Sequence, residues 1–168
     1  LALDGGRKLL NEGIFNWTGG SLIYLGQNPT GTSVGGATII NALGATFNDA
    51  VAGTINNGSG TNAFNNAGTF QTSFASGTTT IGVTFNNTGS VQVGTGGTLN
   101  LSGGGTSTGG SFTGGGTLQF SSGYTFDAAS TISTANAIFS AGTTTLAGTY
   151  SATNTTLSGG TLTTGSSP

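Results

Sequence analysis

Cysteine, methionine and histidine do not occur in this chain, and only 2 of its 168 residues are basic. Each absence removes a class of chemistry. Without Cys and His there is no thiolate or imidazole to hold zinc, and no Ser-His or Cys-His nucleophile pair. With Arg7 and Lys8 as the only cations and a net charge of −2, no basic patch exists. The sequence therefore predicts no nucleic-acid partner and no attraction to an anionic membrane. No apolar run approaches the roughly 18 residues that span a bilayer, so no membrane insertion is expected. The carboxylates are Asp4, Glu12, Asp49 and Asp127, dispersed along the chain. A polysaccharide-acting site needs clustered carboxylates, a base or a metal, and the expectation is that the chain is not an enzyme.

What remains is glycine, threonine, serine and asparagine around a set of aromatic residues. The 34 glycines alone would suggest disorder. Two features oppose that: hydrophobic residues make up 33%, with 10 Phe, and charged residues only 4%. A chain so uncharged must bury its apolar groups in order or aggregate. The expectation is one ordered domain over 1–168. With so few groups to titrate, its stability should vary little between about pH 5 and 9.

Helical spacing is absent, and short period-two alternations recur. Phe15 and Trp17 flank Asn16, Leu22 and Tyr24 flank Ile23, and Val91 and Val93 flank Gln92. Leu99 and Leu101 flank Asn100, Leu118 and Phe120 flank Gln119, and Ile81, Val83 and Phe85 alternate with Gly82 and Thr84. Alternation places one side chain inward and the next outward on a strand. Each run is cut short by Gly, Asn or Ser, so each strand is short.

A longer period sets the register. The phrase FNNAGTF (64–70) returns as FNNTGSV (85–91), with LLNEGIF (9–15) and IINALGATF (39–47) as earlier variants. These place Asn11, Asn41, Asn66 and Asn87 in one slot. Later the wording becomes GGTLNLS (96–102), GGTLQFS (115–121) and GGTLTTG (159–165). Imperfect self-similarity near 20 residues is the mark of a solenoid. The sequence predicts an all-β, parallel β-helix of roughly 20 residues per coil, right-handed by the rule for parallel connections. Asn11, Asn41, Asn66 and Asn87 are then a structural corner ladder, their amides hydrogen-bonded from coil to coil. Asn and Gly also suit a corner that needs left-handed backbone. The stretch GQNPTGTSVGG (26–36) reads as a loop leaving one corner.

At NNTGSVQVGTGGTLNLSGGGTSTGGSF (86–112) and LNEGIFNWTGGSLIYLG (10–26), the chain resembles the repetitive segments of large bacterial secreted surface proteins. These are filamentous-haemagglutinin-like and autotransporter-passenger β-helices. The resemblance implies export, an extracellular or cell-surface location, and a role as stalk, filament or matrix component, or adhesin. It carries over no catalytic, cofactor-binding or metal residue, and no cofactor is expected. The chain opens at Leu1 and stops at TTGSSP, which reads as a piece of a longer repeat protein. The partners expected are further coils continuing the solenoid, a copy associating end to end, or a glycan or other cell-surface ligand.

Other candidate sites have plainer explanations. The glycines of GTGGTLNLSGGGTSTGG (94–110) lack the Asp that calcium-binding nonapeptide repeats require, and the Lys that a phosphate loop requires. GTTTIG (77–82) and GTTTLAG (142–148) carry Thr-x-Thr pairs, which on a flat face would suit ice binding. Thr78 and Thr80 show no evident partners one turn away. Trp17 and Tyr24 could stack on sugars, but alternation predicts that both face the core. Asn16, Asn57, Asn86 and Asn154 open Asn-x-Ser/Thr triplets, glycan acceptors only in a suitable exported setting.

Overall fold

The computed structural model describes residues 1–165; residues 166–168, the end of the closing TTGSSP, lie outside them. Every described element is a strand. β1 (Ala2–Leu3) precedes a first full coil of β2 (Arg7–Asn11), β3 (Ile14–Trp17) and β4 (Leu22–Leu25). The second coil is β5 (Ala37–Asn41), β6 (Thr46–Asp49) and β7 (Thr54–Asn57). The third is β8 (Asn62–Asn66), β9 (Thr69–Thr72) and β10 (Gly77–Ile81). β11 (Thr84–Asn87), β12 (Ser90–Val93) and β13 (Gly97–Leu101) make the fourth. In the fifth and sixth, β14 (Gly105–Ser107) and β16 (Tyr124–Phe126) each lead into one long strand. These are β15 (Ser111–Phe120) and β17 (Thr131–Phe139), and each contributes to two faces. β18 (Thr143–Leu146), β19 (Thr149–Tyr150) and β20 (Asn154–Leu157) form the seventh coil, and β21 (Thr161–Thr164) opens the eighth.

Three parallel ladders result. The first face runs β2-β5-β8-β11-β14-β16-β18-β21. The second runs β3-β6-β9-β12 and on to the first half of β15. The third runs β1-β4-β7-β10-β13 and on to the second half of β15. β17 extends the second and third faces, carrying β19 on one and β20 on the other. This is a β-solenoid of about 8 coils. Every strand pairing among the described residues is parallel. Coil length falls along the chain: Asn11 and Asn41 are 30 residues apart, Asn41 and Asn66 25, and Asn66 and Asn87 21. Asn136 and Asn154, near the end, are 18 apart. Residues 26–36 account for the longest coil, leaving the third corner as a loop between β4 and β5.

The core is a set of stacked columns. On the first face Ile39, Phe64 and Phe85 lie one above another. On the second, Phe15, Phe47 and Phe70 do, their rings stacked at centroid distances of 4.7 and 5.6 Å. The third carries Ile23, Ile55, Ile81, Leu101, Phe120 and Phe139 in one column. Sharing each ring between coils is what lets strands of two to five residues hold register.

Three expectations from sequence need correction here. On β4 the phase is inverted: Ile23 and Leu25 are buried, while Leu22 and Tyr24 point outward. A run of four apolar residues, Leu22 to Leu25, gives both phases equal weight. Next, the asparagine corner uses left-handed backbone in only one of its four copies, at Gly44 of IINALGATF. Among the described residues the only non-glycine with positive φ is Ala52, and Gly13, Gly68 and Gly89 are not in that region either. Gly68 and Gly89 are there for close approach. A Cβ on Gly89 would lie 2.1 Å from the Gly68 carbonyl oxygen, and one on Gly68 2.2 Å from that of Ala45. Finally, GGTLTTG does not repeat the position of its two namesakes. Thr98 pairs with Thr117 on the third face, whereas Thr161 pairs with Thr143 on the first.

Candidate functional site

Two buried polar features and one polar surface stand out. The first buried feature is the asparagine ladder. Asn11 Nδ2 donates to Asn41 Oδ1 at 2.7 Å, Asn41 to Asn66 at 2.7 Å, and Asn66 to Asn87 at 2.8 Å. Each amide also donates to a strand carbonyl of the next coil: Thr46, Thr69 and Ser90 in turn. All four residues end first-face strands and are buried. The structure thus brings together the four asparagines named from sequence, as an internal hydrogen-bonded column with no surface to offer a ligand. Beyond Asn87 the same position holds Ser107, Phe126 and Leu146, and the column becomes apolar.

Asp49 is the second buried feature, one that sequence reasoning missed. It lies in the inward column of the second face, between Trp17 and Thr72, and is 0% exposed. Its carboxyl accepts from the Thr79 hydroxyl and from the Val51 N–H. Burial pushes the acid above its ordinary value, and those two hydrogen bonds offset this only in part. The signal was present: Phe47 and Asp49 flank Asn48, so alternation that turns Phe47 inward turns Asp49 inward too.

The other carboxylates lie elsewhere. Asp4 accepts from the Val34 and Gly35 N–H groups at 2.9 and 2.6 Å, tying down the loop 26–36. Asp127 accepts from Gly109 N–H at 3.0 Å and from the Ser130 hydroxyl at 2.6 Å. These donors, the Val34 N–H foremost for Asp4 and the Gly109 N–H for Asp127, hold both carboxyls below the ordinary value. Glu12 is exposed on the first corner. Among the described residues no three acidic side chains converge. Trp17 is buried, its indole N–H donating to the Gly20 carbonyl at 2.6 Å, whereas Tyr24 is half-exposed.

The outward surface is a lattice of hydroxyls and amides. On the third face Thr78, Thr98 and Thr117 form a file and Thr80 lies over Thr54, so Thr78 and Thr80 each have a threonine partner one coil away, contrary to the sequence reading. The spacing of 20 was hidden because Thr98 sits in a differently worded repeat. The neighbouring file is mixed: Thr54, Thr80, Asn100, Gln119. On the first face Thr106, Thr125, Thr145 and Thr163 form a second threonine file. The second face carries an amide file, Asn16, Asn48, Gln71 and Gln92, which hydrogen-bonds along itself at Asn48–Asn16 and Gln71–Asn48.

Beside Gln71 and Gln92, where the second face turns toward the third, lies a groove of about 370 Å³. Its sides are Gln71, Ser73, Gln92 and Thr95, and Gly94 and Gly115 belong to its floor. No charged residue occurs between positions 50 and 126.

Compared with protein-family models, with curated proteins and with solved structures, the chain matches none.

Proposed function

We propose that this chain is a structural segment of an extracellular or cell-surface protein: a stalk, filament or matrix element that spaces or presents other parts. The supporting observation is the unbroken first-face ladder, parallel and in register from β2 to β21. Such a ladder turns a flexible, glycine-rich sequence into a rod, and its nearly uncharged surface limits unspecific ionic attraction. The resemblance to haemagglutinin-like and passenger β-helices points the same way. Immunolabelling of intact source cells tests the location. Label without permeabilisation is expected, and label seen only after permeabilisation would overturn the reading.

A second reading, ice binding, is favoured by the Thr78-Thr98-Thr117 file. Its companion file is interrupted by Asn100 and Gln119, and among the described residues a double threonine array occurs only as Thr143/Thr145 over Thr161/Thr163. An ice face needs both files on every coil, so thermal hysteresis is expected to be absent. Measurable hysteresis would replace the structural reading.

A further inference from the structure

From its lining and its repeat, we propose that the groove beside Gln71 and Gln92 binds a neutral, extended glycan lying along the solenoid axis. The proposal rests on the surface-rod reading and gives it a ligand class. Five observations carry it. The groove of about 370 Å³ falls within the range of small-ligand sites, enough for a short run of sugar rings. Its polar groups are free to act: neither the Gln92 amide nor the Thr95 hydroxyl has a hydrogen-bond partner among the described residues, and Gln71 uses only one donor, to Asn48 at 3.3 Å. An unengaged carboxamide offers a donor and an acceptor side by side, which complements adjacent hydroxyls.

The floor is bare. Gly94 and Gly115 put no side chain into it, and at Gly94 none could be added, since a Cβ there would stand 2.6 Å from the Thr72 carbonyl. Charge then selects the partner. No ionic side chain occurs from 50 to 126, and Asp49, which pairs with the lining residue Thr72, is fully buried, so an acidic glycan, a phosphate or a basic peptide finds no ionic partner. Repeat selects its shape. Within the groove amides recur on two successive coils, at Gln71 and Gln92, and coils advance by about 4.8 Å, close to the length of one ring in an extended glycan. One ring per coil keeps successive amides in phase with successive hydroxyls.

The test is titration calorimetry of the intact chain with a linear neutral β-linked glucose hexamer, beside a sulfated oligosaccharide of equal length. Binding of the neutral hexamer is expected, unchanged by salt, with little or none for the sulfated one. Gln71→Ala/Gln92→Ala should weaken binding at least tenfold at unchanged melting temperature, while Gln119→Ala, on the third face, should not. No binding of the hexamer, tighter binding of the sulfated probe, or full binding by the double variant each overturns the proposal. Surface labelling is independent of all three, so a rod found on the surface that binds no hexamer refutes the groove alone.

Discussion

Asn66 accepts from Asn41 and donates to Asn87, so Asn66→Ala leaves groups on both neighbours without that partner. Asn11 has a ladder neighbour on one side only. Unsatisfied buried polar groups cost about 1–3 kcal/mol each. Asn66→Ala should therefore lose about 2–4 kcal/mol in chemical denaturation, against about 1 kcal/mol for Asn11→Ala; equal losses would mean that the ladder does not act as a chain. Asp49 makes the second prediction at this scale. Its folded-state pKa is raised, so the neutral acid is the form the core accepts. Its favourable contribution is complete below the ordinary aspartate value and is lost as pH rises through the raised one. Asp4 and Asp127 act in the opposite sense, losing their contribution only as pH falls through their lowered values. The melting temperature should thus decline as pH rises from the ordinary aspartate value through the raised one, and Asp49→Asn should flatten that decline. An identical slope in the variant would place the titration elsewhere.

At the scale of the coil, the glycine of the asparagine corner separates what stacking demands from what the turn demands. Gly89 has the Gly68 carbonyl beneath it, while Gly13, in the first coil, has nothing within 4 Å of its would-be Cβ. Neither has positive φ, so alanine is conformationally acceptable at both. Gly89→Ala should cost about 1–3 kcal/mol as an overpacked contact. Gly13→Ala should change stability by less than about 0.5 kcal/mol. Equal effects would show that the turn itself requires glycine. The comparison also shows which parts of the fold a sequence can disclose. Asn11, Asn41, Asn66 and Asn87 were legible because the same side chain must recur where amides stack. Val91 and Val93, or Leu99 and Leu101, were legible because a single residue between two apolar ones leaves one phase. Leu22 to Leu25 offered two phases, and only the coil beneath decides between them. The groove was not legible at all, since Gln71, Thr95 and Gly115 come from three coils and meet only once the register is known.

For the whole molecule, each coil touches only the next, so stability is distributed along an axis rather than centred in one core. Trp17 is the only tryptophan and lies in the first full coil, which makes its fluorescence a local probe of that end. That coil includes the 11-residue stretch 26–36 and is followed by the longest interval in the ladder, 30 residues. It therefore fixes more chain per stacking contact than the later coils, where the interval falls to 18. Its second-face strand β3 also has a partner on one side only, β6, whereas β9 has both β6 and β12. Less shared burial and more ordered loop both lower the free energy of opening this coil relative to the middle of the rod. In a urea titration of the 168-residue chain, the Trp17 signal should change at lower denaturant than the β-sheet circular dichroism. The gap should narrow when Asn66→Ala weakens the middle. Coincident transitions in both proteins would instead mean that the eight coils open as a single unit, with the coupling between neighbours outweighing the differences in length.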